Sequence, residues 1–258
     1  MPPTPPRARD LGIVIGDLPP GPANAITDVP GVRVGHTTLI SGDGPLHVGA
    51  GPVRTGVTVI VPGADDPWRQ PAAAGCHRLN GNGELTGLEW IRESGLLTTC
   101  IGLTNTHSVG VVRDALIADA VRGMPAGEMR WYLPVVGETY DGDLNDINGM
   151  HVRAEHVHAA LAAAAGGAVA EGGVGSGTGM ICHGFKGGIG TSSRVVDGHT
   201  IGVLVQANHG ARERLSVNGV PVGKAIGADQ IPDPRGGAHE GRGSIIVIIA
   251  TDALLLPG

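Results

Sequence analysis

Aromatic residues are almost absent from this sequence: they make up 2% of its 258 residues. The core must therefore be built from valine, isoleucine, leucine and alanine, whose small side chains let secondary-structure elements pack closely. The same scarcity leaves little for stacking on nucleic-acid bases. A formal net charge of −6 also argues against binding to nucleic acid or to an anionic membrane. We therefore expect neither as a partner.

Cysteine is scarce as well, and the three cysteines, Cys76, Cys100 and Cys182, are widely spaced. This spacing excludes a disulfide framework and a paired-cysteine metal knuckle. It is typical of buried, reduced thiols in a cytosolic protein, so we predict a cytoplasmic location. The longest apolar run, residues 245–250, is far shorter than the roughly 20 residues that span a bilayer. Residues 1–9 lack the apolar segment of a secretory signal, and we expect none.

Glycine, in contrast, is abundant: 45 glycines and 19 prolines accompany a hydrophobic share of 41%. This composition predicts a globular chain with many tight turns and a layered α/β fold. Apolar patterns predict strands at residues 32–40, 57–61, 99–104, 133–136, 189–196 and 200–207. Helical periodicity predicts helices at residues 84–93, 109–121 and 152–165. The pairs Asp197-Gly198 and Asn218-Gly219 predict hairpin turns.

One stretch near the end of the sequence carries more chemistry than the rest. A glycine-rich loop leads through Gly243 and Ser244 into the apolar residues 245–250, which predict a strand buried on both faces. Gly-Ser before a strand is also ordinary turn chemistry, so Ser244 can simply begin a core strand. Alternatively, its hydroxyl attacks the Gly243 carbonyl, shifts the acyl group from nitrogen to oxygen, and lets water release Gly243. Ser244 would then begin a new chain whose α-amine, with a pKa of about 8, is a base for the hydroxyl.

Three polar stretches, residues 80–84, 138–149 and 205–210, supply further candidates. Asn208 directly follows an apolar strand, so its amide would project at the strand end, where an oxyanion donor is useful. Tyr140 is one of only two tyrosines, and its polar loop leaves the hydroxyl available as a donor. Turns rich in asparagine and aspartate are the alternative interpretation of all three stretches.

Two other patterns resemble ligand sites without matching them. The glycine-rich residues 173–179 lack the G-x-G-x-x-G spacing of a phosphate cradle, which favours a structural loop. His151, Glu155, His156 and His158 have a spacing one residue too long for the inverted zinc motif. A zinc site stays possible there, but a solvated helix face is the better interpretation. We therefore expect no metal and no organic cofactor.

Six stretches together resemble the family of L-aminopeptidase/D-Ala-esterase/amidases and β-aminopeptidases, and they span most of the chain. They are NAITDVPGVRVG at 24–35, NGNGELTGL at 80–88, LPVVGETYDGDLNDING at 133–149, the GTGM…FKGGIGTSSRVV block within 175–196, VLVQANHG at 203–210 and GSIIVIIATD at 243–252.

The resemblance implies a four-layer αββα sandwich, similar to the N-terminal-nucleophile hydrolases but of distinct topology. It implies self-cleavage between Gly243 and Ser244. One domain would then comprise an α-subunit region, residues 1–243, and the start of a β-subunit region, residues 244–258. Such αβ units are expected to assemble into homo-oligomers.

Site residues follow from the same resemblance. Ser244 would be the nucleophile, and Asn208 and Tyr140 would stabilise the oxyanion. Glu138 would lie near the free amine of the substrate, where a carboxylate suits an ammonium group.

The expected activity is that of an aminopeptidase or amidohydrolase that releases small N-terminal residues from peptides, amides or esters through an acyl-Ser244 intermediate. The family continues well beyond Gly258, so we expect the second sheet to be incomplete. This leaves two alternatives: a truncated, inactive and uncleaved precursor, or an acyltransferase related to ornithine acetyltransferase. The latter group uses a threonine nucleophile, so Ser244 argues against it.

Overall fold

The computed structural model describes residues 6–235 and 243–255. The strands are β1 (Val32–Ser41), β2 (Val53–Pro62), β3 (Ala72–Ala73), β4 (Leu96–Leu97), β5 (Ile101–Asn105), β6 (Val135–Thr139), β7 (Ile181–Cys182), β8 (Phe185–Lys186), β9 (Gly188–Val196), β10 (His199–Asn208) and β11 (Ser244–Thr251). The α-helices are α1 (Leu88–Ser94), α2 (Val109–Arg122), α3 (Ala154–Ala162) and α4 (Val222–Ala225). No helix within these two ranges is long and apolar enough to cross a membrane.

The first sheet has four strands in the order β1-β2-β5-β6. Its pairs are antiparallel except for β5 and β6, which run parallel. Helices α2 and α3 cover one face, where Val112 and Val157 pack with Val57 and Val59 of β2. Strand β2 is buried along most of its length because layers cover both faces of this sheet.

A second sheet, in the order β11-β10-β9, packs on the other face of the first. Leu204 of β10 points inward and joins Ile60 and Leu103 of the first sheet in a second apolar core. The segment at Ile26 crosses close to β10 because Gly202 has no side chain: a Cβ there would lie 2.7 Å from the Ile26 Cα atom. The described chain therefore has three layers, one of helices and two of sheet.

These layers confirm the predicted α/β class with two stacked sheets. The long helices α2 and α3 both lie on the first sheet, so residues 6–235 and 243–255 contribute three layers of the expected αββα arrangement. The division of the chain at residue 243 stays a prediction. Residues 236–242, which include most of the predicted glycine-rich loop before Ser244, lie outside the described residues.

Burial of β11 differs from the prediction. Ile246 and Ile248 pack into the second core. In contrast, the side chains of Ile245, Val247 and Ile249 are 39%, 50% and 68% exposed. The prediction that this run is buried on both faces is wrong for the described residues, because β11 is an edge strand and the outer face of its sheet is open to solvent. An apolar run identifies a strand but not which of its faces another layer covers.

Local sequence signals correctly predict the β9–β10 turn of the second sheet but not the residue at which helix α1 begins. Asp197 and Gly198 have φ values of 50° and 82°, and they join β9 to β10 in the predicted hairpin. Helix α1 begins at Leu88 rather than at the predicted residue 84. Gly87 has a φ of 74°, and the Thr86 amide donates to the Val136 carbonyl at 3.0 Å, so this segment extends alongside β6 before the helix begins.

Gln206 is a fully buried polar side chain between the two sheets. Its Nε2 donates to Thr139 Oγ1 at 2.6 Å and to the Thr104 carbonyl oxygen at 3.3 Å, both in the first sheet. Its Oε1 accepts a hydrogen bond from the Ser176 hydroxyl. Both ends of the amide therefore have partners, as a buried polar group requires, and they join β10 to β5 and β6 at one register position.

Replacing Gln206 with leucine tests this connection. The substitution keeps the side-chain volume but leaves the buried Thr104 carbonyl and the Ser176 and Thr139 hydroxyls short of a partner. We expect Gln206→Leu to lower the free energy of unfolding by about 1–3 kcal/mol, measured by urea denaturation. The exposed Gln70→Leu is the matched control and should change it by no more than about 0.5 kcal/mol. Equal effects of the two substitutions would contradict the proposed role of Gln206.

Candidate active site

Ser244 and Asn208 lie opposite each other at the paired ends of two strands. Strand β10 ends at Asn208 and strand β11 begins at Ser244, and the antiparallel register pairs these two residues. Asn208 Nδ2 donates to Ser244 Oγ across 3.2 Å. The sheet thus brings together the predicted nucleophile and the predicted oxyanion donor, which are 36 residues apart in sequence.

The orientation of the Asn208 amide follows from its other partners. Its Oδ1 accepts from the Ile181 backbone N–H at 2.9 Å, and its Nδ2 donates to the Tyr140 carbonyl oxygen at 2.8 Å. An N–H can only donate and a carbonyl can only accept, so these contacts determine which end of the amide is nitrogen. The NH₂ group therefore faces Ser244.

Ser244 opens onto a cleft of about 460 Å³. Glu138 of β6 also lines this cleft, so a carboxylate and the serine share one space. A side chain at Gly243 would be crowded, since its Cβ would lie 3.0 Å from the His209 Cβ. The complete lining is His77, Arg78, Leu79, Asn80, Asn82, Gly83, Glu84, Leu85, Glu138, His209, Gly243, Ser244, Ile245 and Ile246.

Glu138 also holds the loop that forms another part of the cleft wall. Its side chain is 6% exposed. Oε1 accepts from the Glu84 backbone N–H at 3.0 Å, and Oε2 accepts from the Thr106 hydroxyl. A carboxylate group has about four lone-pair sites, so these two contacts leave acceptor capacity on Glu138.

The backbone and the side chain of Tyr140 have different surroundings. Its backbone carbonyl contacts Asn208, whereas its phenol is 48% exposed and lies against Gly142. Among the described residues, no hydrogen bond joins this hydroxyl to Ser244. An exposed side chain of this kind has room to rotate.

The next residue, Asp141, is a buried carboxyl group. Burial raises its pKa to about 6, although hydrogen bonds from Thr55, Asn145 and Asn105 act in the opposite direction. Of these, the bond from Asn145 Nδ2 to Asp141 Oδ1 is 3.0 Å long. This carboxyl lies beneath the Tyr140 backbone and becomes charged as the pH rises through about 6.

Asp141 should therefore make stability depend on pH. Its folded pKa exceeds the ordinary 3.8, so between these values the folded chain keeps a proton that the unfolded chain releases. The contribution of Asp141 to the free energy of unfolding is fully present below about pH 4. It is lost as the pH rises through 6, and the loss amounts to about 3 kcal/mol. Urea denaturation of Asp141→Asn should show a smaller loss between pH 4 and pH 7 than the unmodified chain. The exposed Asp143→Asn is the control, and an identical pH dependence in all three proteins would contradict the assignment.

Several residues of this region were not singled out by the sequence analysis. His209 follows Asn208 and lines the cleft, and burial, with a smaller effect from His183, lowers its pKa below the ordinary 6.5. Cys182 lies close by, where burial raises its thiol pKa while the His209 amide and Arg235 act to lower it. The signal for His209 was its place in the polar stretch 205–210. Nothing in the local sequence connects it to Cys182.

The histidines at residues 151–158 do not come together in one site. His151 Nε2 contacts Asp146 Oδ2 at 2.9 Å, and His156 Nδ1 accepts from the Arg153 backbone N–H at 2.9 Å. His158 lies instead near Asp119. In the parts of the chain that the structure describes, the group of side chains with metal-ligand spacing is a different one, Cys182, His183 and His209.

Comparison with known proteins places this chain in a family. The model of peptidase family S58 matches residues 24–258. The chain belongs to peptidase family S58. Its Ser244 and Asn208 both lie within the matched range, as do Glu138 and Tyr140.

Two curated proteins similar to this chain carry the name of an aminopeptidase. The chain is 51% identical over 265 residues to the beta-peptidyl aminopeptidase BapA of Sphingosinicella microcystinivorans, an alignment that covers 98% of this chain and 66% of that protein. It is 48% identical to BapA of Sphingosinicella xenopeptidilytica, of which it covers 65%. The chain thus spans just under two thirds of the length of these curated relatives.

Solved structures confirm the predicted fold. A Burkholderia sp. beta-aminopeptidase is 60% identical with a TM-score of 0.88, over 97% of this chain and 68% of that one. The L-aminopeptidase D-Ala-esterase/amidase of Ochrobactrum anthropi is 45% identical with a TM-score of 0.83, over 98% of this chain and 69% of that one. That enzyme is described as a variant of the N-terminal-nucleophile hydrolase fold, so the S58 chain has the α/β fold that the sequence predicted.

Proposed function

We propose that this protein is an aminopeptidase or amidohydrolase that cleaves itself at Gly243-Ser244 and then uses Ser244 as its nucleophile. The observation that carries the proposal is the pairing of Ser244 with Asn208 beside a cleft that also contains Glu138. Membership of a peptidase family supports the same class of reaction.

Self-cleavage requires no group from outside the chain except water. Ser244 Oγ attacks the Gly243 carbonyl carbon, the C–N bond to Ser244 breaks, and the hydroxyl proton passes to the departing amine. Water then hydrolyses the resulting ester, which leaves a carboxylate on Gly243 and a free hydroxyl on Ser244. The new N-terminal amine is the base that the nucleophile needs.

Turnover repeats the same chemistry on a substrate. The Ser244 amine takes the hydroxyl proton as Oγ attacks the substrate carbonyl, and the tetrahedral intermediate expels the leaving amine with that proton. Water hydrolyses the acyl-serine ester and releases the acid. We propose that Asn208 Nδ2, which donates to Ser244 Oγ, stabilises the oxyanion, and that the Tyr140 hydroxyl joins it after rotating from Gly142.

We further propose that Glu138 receives the ammonium group of the substrate. It is nearly buried, it faces the same cleft as Ser244, and its existing partners leave acceptor capacity. The occupant is then a small peptide, amide or ester with a free N-terminal amine. An N-acetylated p-nitroanilide lacks that charge, and its rapid hydrolysis would contradict this assignment.

Two further proposals concern the cellular location and the oligomeric state of the protein. We propose that the protein is cytoplasmic, as its unpaired cysteines suggest, and that it works as a homo-oligomer of αβ units. Sedimentation velocity of the purified protein tests the second statement, and a monomer at micromolar concentration would refute it.

Replacing Ser244 with alanine is the central test, because it removes the attacking oxygen and changes little else. In a denaturing mass spectrum, the unmodified protein should give two pieces, one beginning at Ser244, whereas Ser244→Ala should remain one chain. Hydrolysis of p-nitroanilides of small L-, D- and β-amino acids should be lost in the variant. The exposed Ser216→Ala is the matched control and should be cut and active.

Two results would overturn the proposal. One is a Ser244→Ala protein that is still cut at residue 243. The other is an unmodified protein that remains a single 26.0 kDa species without turnover, which would favour the uncleaved precursor. Transfer of an acetyl group to an amino-acid acceptor in place of hydrolysis would favour the acyltransferase alternative.

Asn208→Asp tests the oxyanion donor separately from the nucleophile. The change preserves shape but replaces the NH₂ group that faces Ser244 with an acceptor. We expect kcat for a p-nitroanilide to fall by about 10²–10³-fold with a smaller change in KM. Asn218→Asp, in an exposed turn, is the control, and Tyr140→Phe tests the phenol in the same assay. An Asn208→Asp enzyme with undiminished kcat would exclude the role assigned to the amide.

A further inference from the structure

Three potential metal ligands meet beside the cleft. Cys182 ends β7, His183 begins the tight turn to β8, and His209 follows β10. One ligand atom from each lies within 4.8 Å of the others, and all three residues are partly exposed. The His183 backbone N–H donates to the His209 carbonyl oxygen at 2.7 Å, so the main chain holds the two segments together.

The hydrogen bonding of His183 determines which of its ring nitrogens can bind a metal. Its Nδ1 lies 2.9 Å from the Ala211 carbonyl oxygen. A carbonyl can only accept, so Nδ1 carries the proton and the lone pair is on Nε2. A hydrogen bond of this kind from the second ring nitrogen is the usual outer support of a metal-bound histidine.

The backbone supplies a second, independent observation. His183 has a φ of 51°, in the left-handed region that residues other than glycine rarely adopt. Gly210 packs against its ring, and a Cβ there would lie 2.4 Å from the His183 Cε1 atom. The left-handed backbone and the absence of a side chain at Gly210 thus accompany an imidazole whose ring centroid lies 5.4 Å from that of His209.

We propose that Cys182, His183 and His209 form a three-ligand site for a thiophilic divalent cation such as Zn²⁺ on the wall of the Ser244 cleft. One thiolate and two imidazoles suit Zn²⁺, with water as the fourth ligand, and the thiol proton is released on binding. Ligand atoms around tetrahedral zinc are separated by about 3.5 Å, so the three side chains must close by little more than about 1 Å. Because His209 lines the cleft, an occupied site would restrain that wall.

The sequence spacing does not indicate this site, because Cys182 and His183 are adjacent residues and His209 lies near them only through the position of β10 in the second sheet. The expectation of no metal rested on the wide spacing of the cysteines and on the histidine pattern at residues 151–158, and neither considers His183 or His209. The proposal does not depend on the proposed peptidase activity, and its test measures binding alone.

Cobalt substitution gives a direct readout, since a thiolate bound to Co²⁺ produces a charge-transfer band in the near ultraviolet. The full chain, freed of metal with a chelator, should develop this band with one equivalent of Co²⁺ and lose it when Zn²⁺ is added. Cys76→Ser and His199→Asn should behave like the unmodified chain. Cys182→Ser should show no band.

His183→Asn is the sharpest variant, because asparagine tolerates the left-handed conformation of the turn and so preserves it. Loss of an outer hydrogen-bond partner lowers metal affinity by about 10–100-fold. Since His183 is a proposed ligand, its replacement should lower the Zn²⁺ affinity, measured by calorimetry, by more than this. Zn²⁺ should also protect Cys182, but not Cys76, from alkylation in the unmodified protein. No band in the unmodified chain, or a band that persists in Cys182→Ser, would overturn the proposal.

Discussion

Between the two sheets, the Nε2 group of Gln206 donates hydrogen bonds to strands β5 and β6, and its Oε1 accepts one from Ser176. An inward polar group with this many partners cannot slip by one residue, because a slip would turn the amide to the outer face and leave several buried groups unsatisfied. The register of β10 is thereby set, and the hydrogen-bonded ladder passes it on to β11. Asn208 lies two residues beyond Gln206 on the same face, and its position opposite Ser244 follows from that register.

The candidate site is built on constraints that serve more than one purpose. Asn208 uses its oxygen to hold Ile181 and its nitrogen to hold the Tyr140 backbone, which leaves the amide facing the serine without freedom to flip. Glu138 is similar, since the carboxylate that lines the cleft also ties down the loop at Glu84. Rigid placement of this kind favours charge stabilisation in a transition state, because the donors need no rearrangement when charge develops.

Much of this was accessible from the sequence, and the reasons differ between residues. The hairpin at Asp197-Gly198 and the end of β10 at Asn208 follow from local turn chemistry and apolar patterning, which act over a few residues. Helix α1 starts later than predicted because Thr86 bonds to β6, a distant strand. The outer face of β11 was mispredicted because composition does not tell which face a neighbouring layer covers. Asp141 and the pair of Cys182 with His209 depend on burial and long-range pairing, which no local pattern encodes.

The pairing of β11 has a bearing on what a severed chain would look like. Residues 244–251 form a continuous ladder with β10, and the partly buried Ile246 and Ile248 pack against the core. Hydrolysis before Ser244 would therefore yield two fragments that remain associated without a covalent link. The new N-terminus would be held in place by its own β-pairing, and the cleaved molecule would migrate as a single particle until a denaturant separated the two fragments.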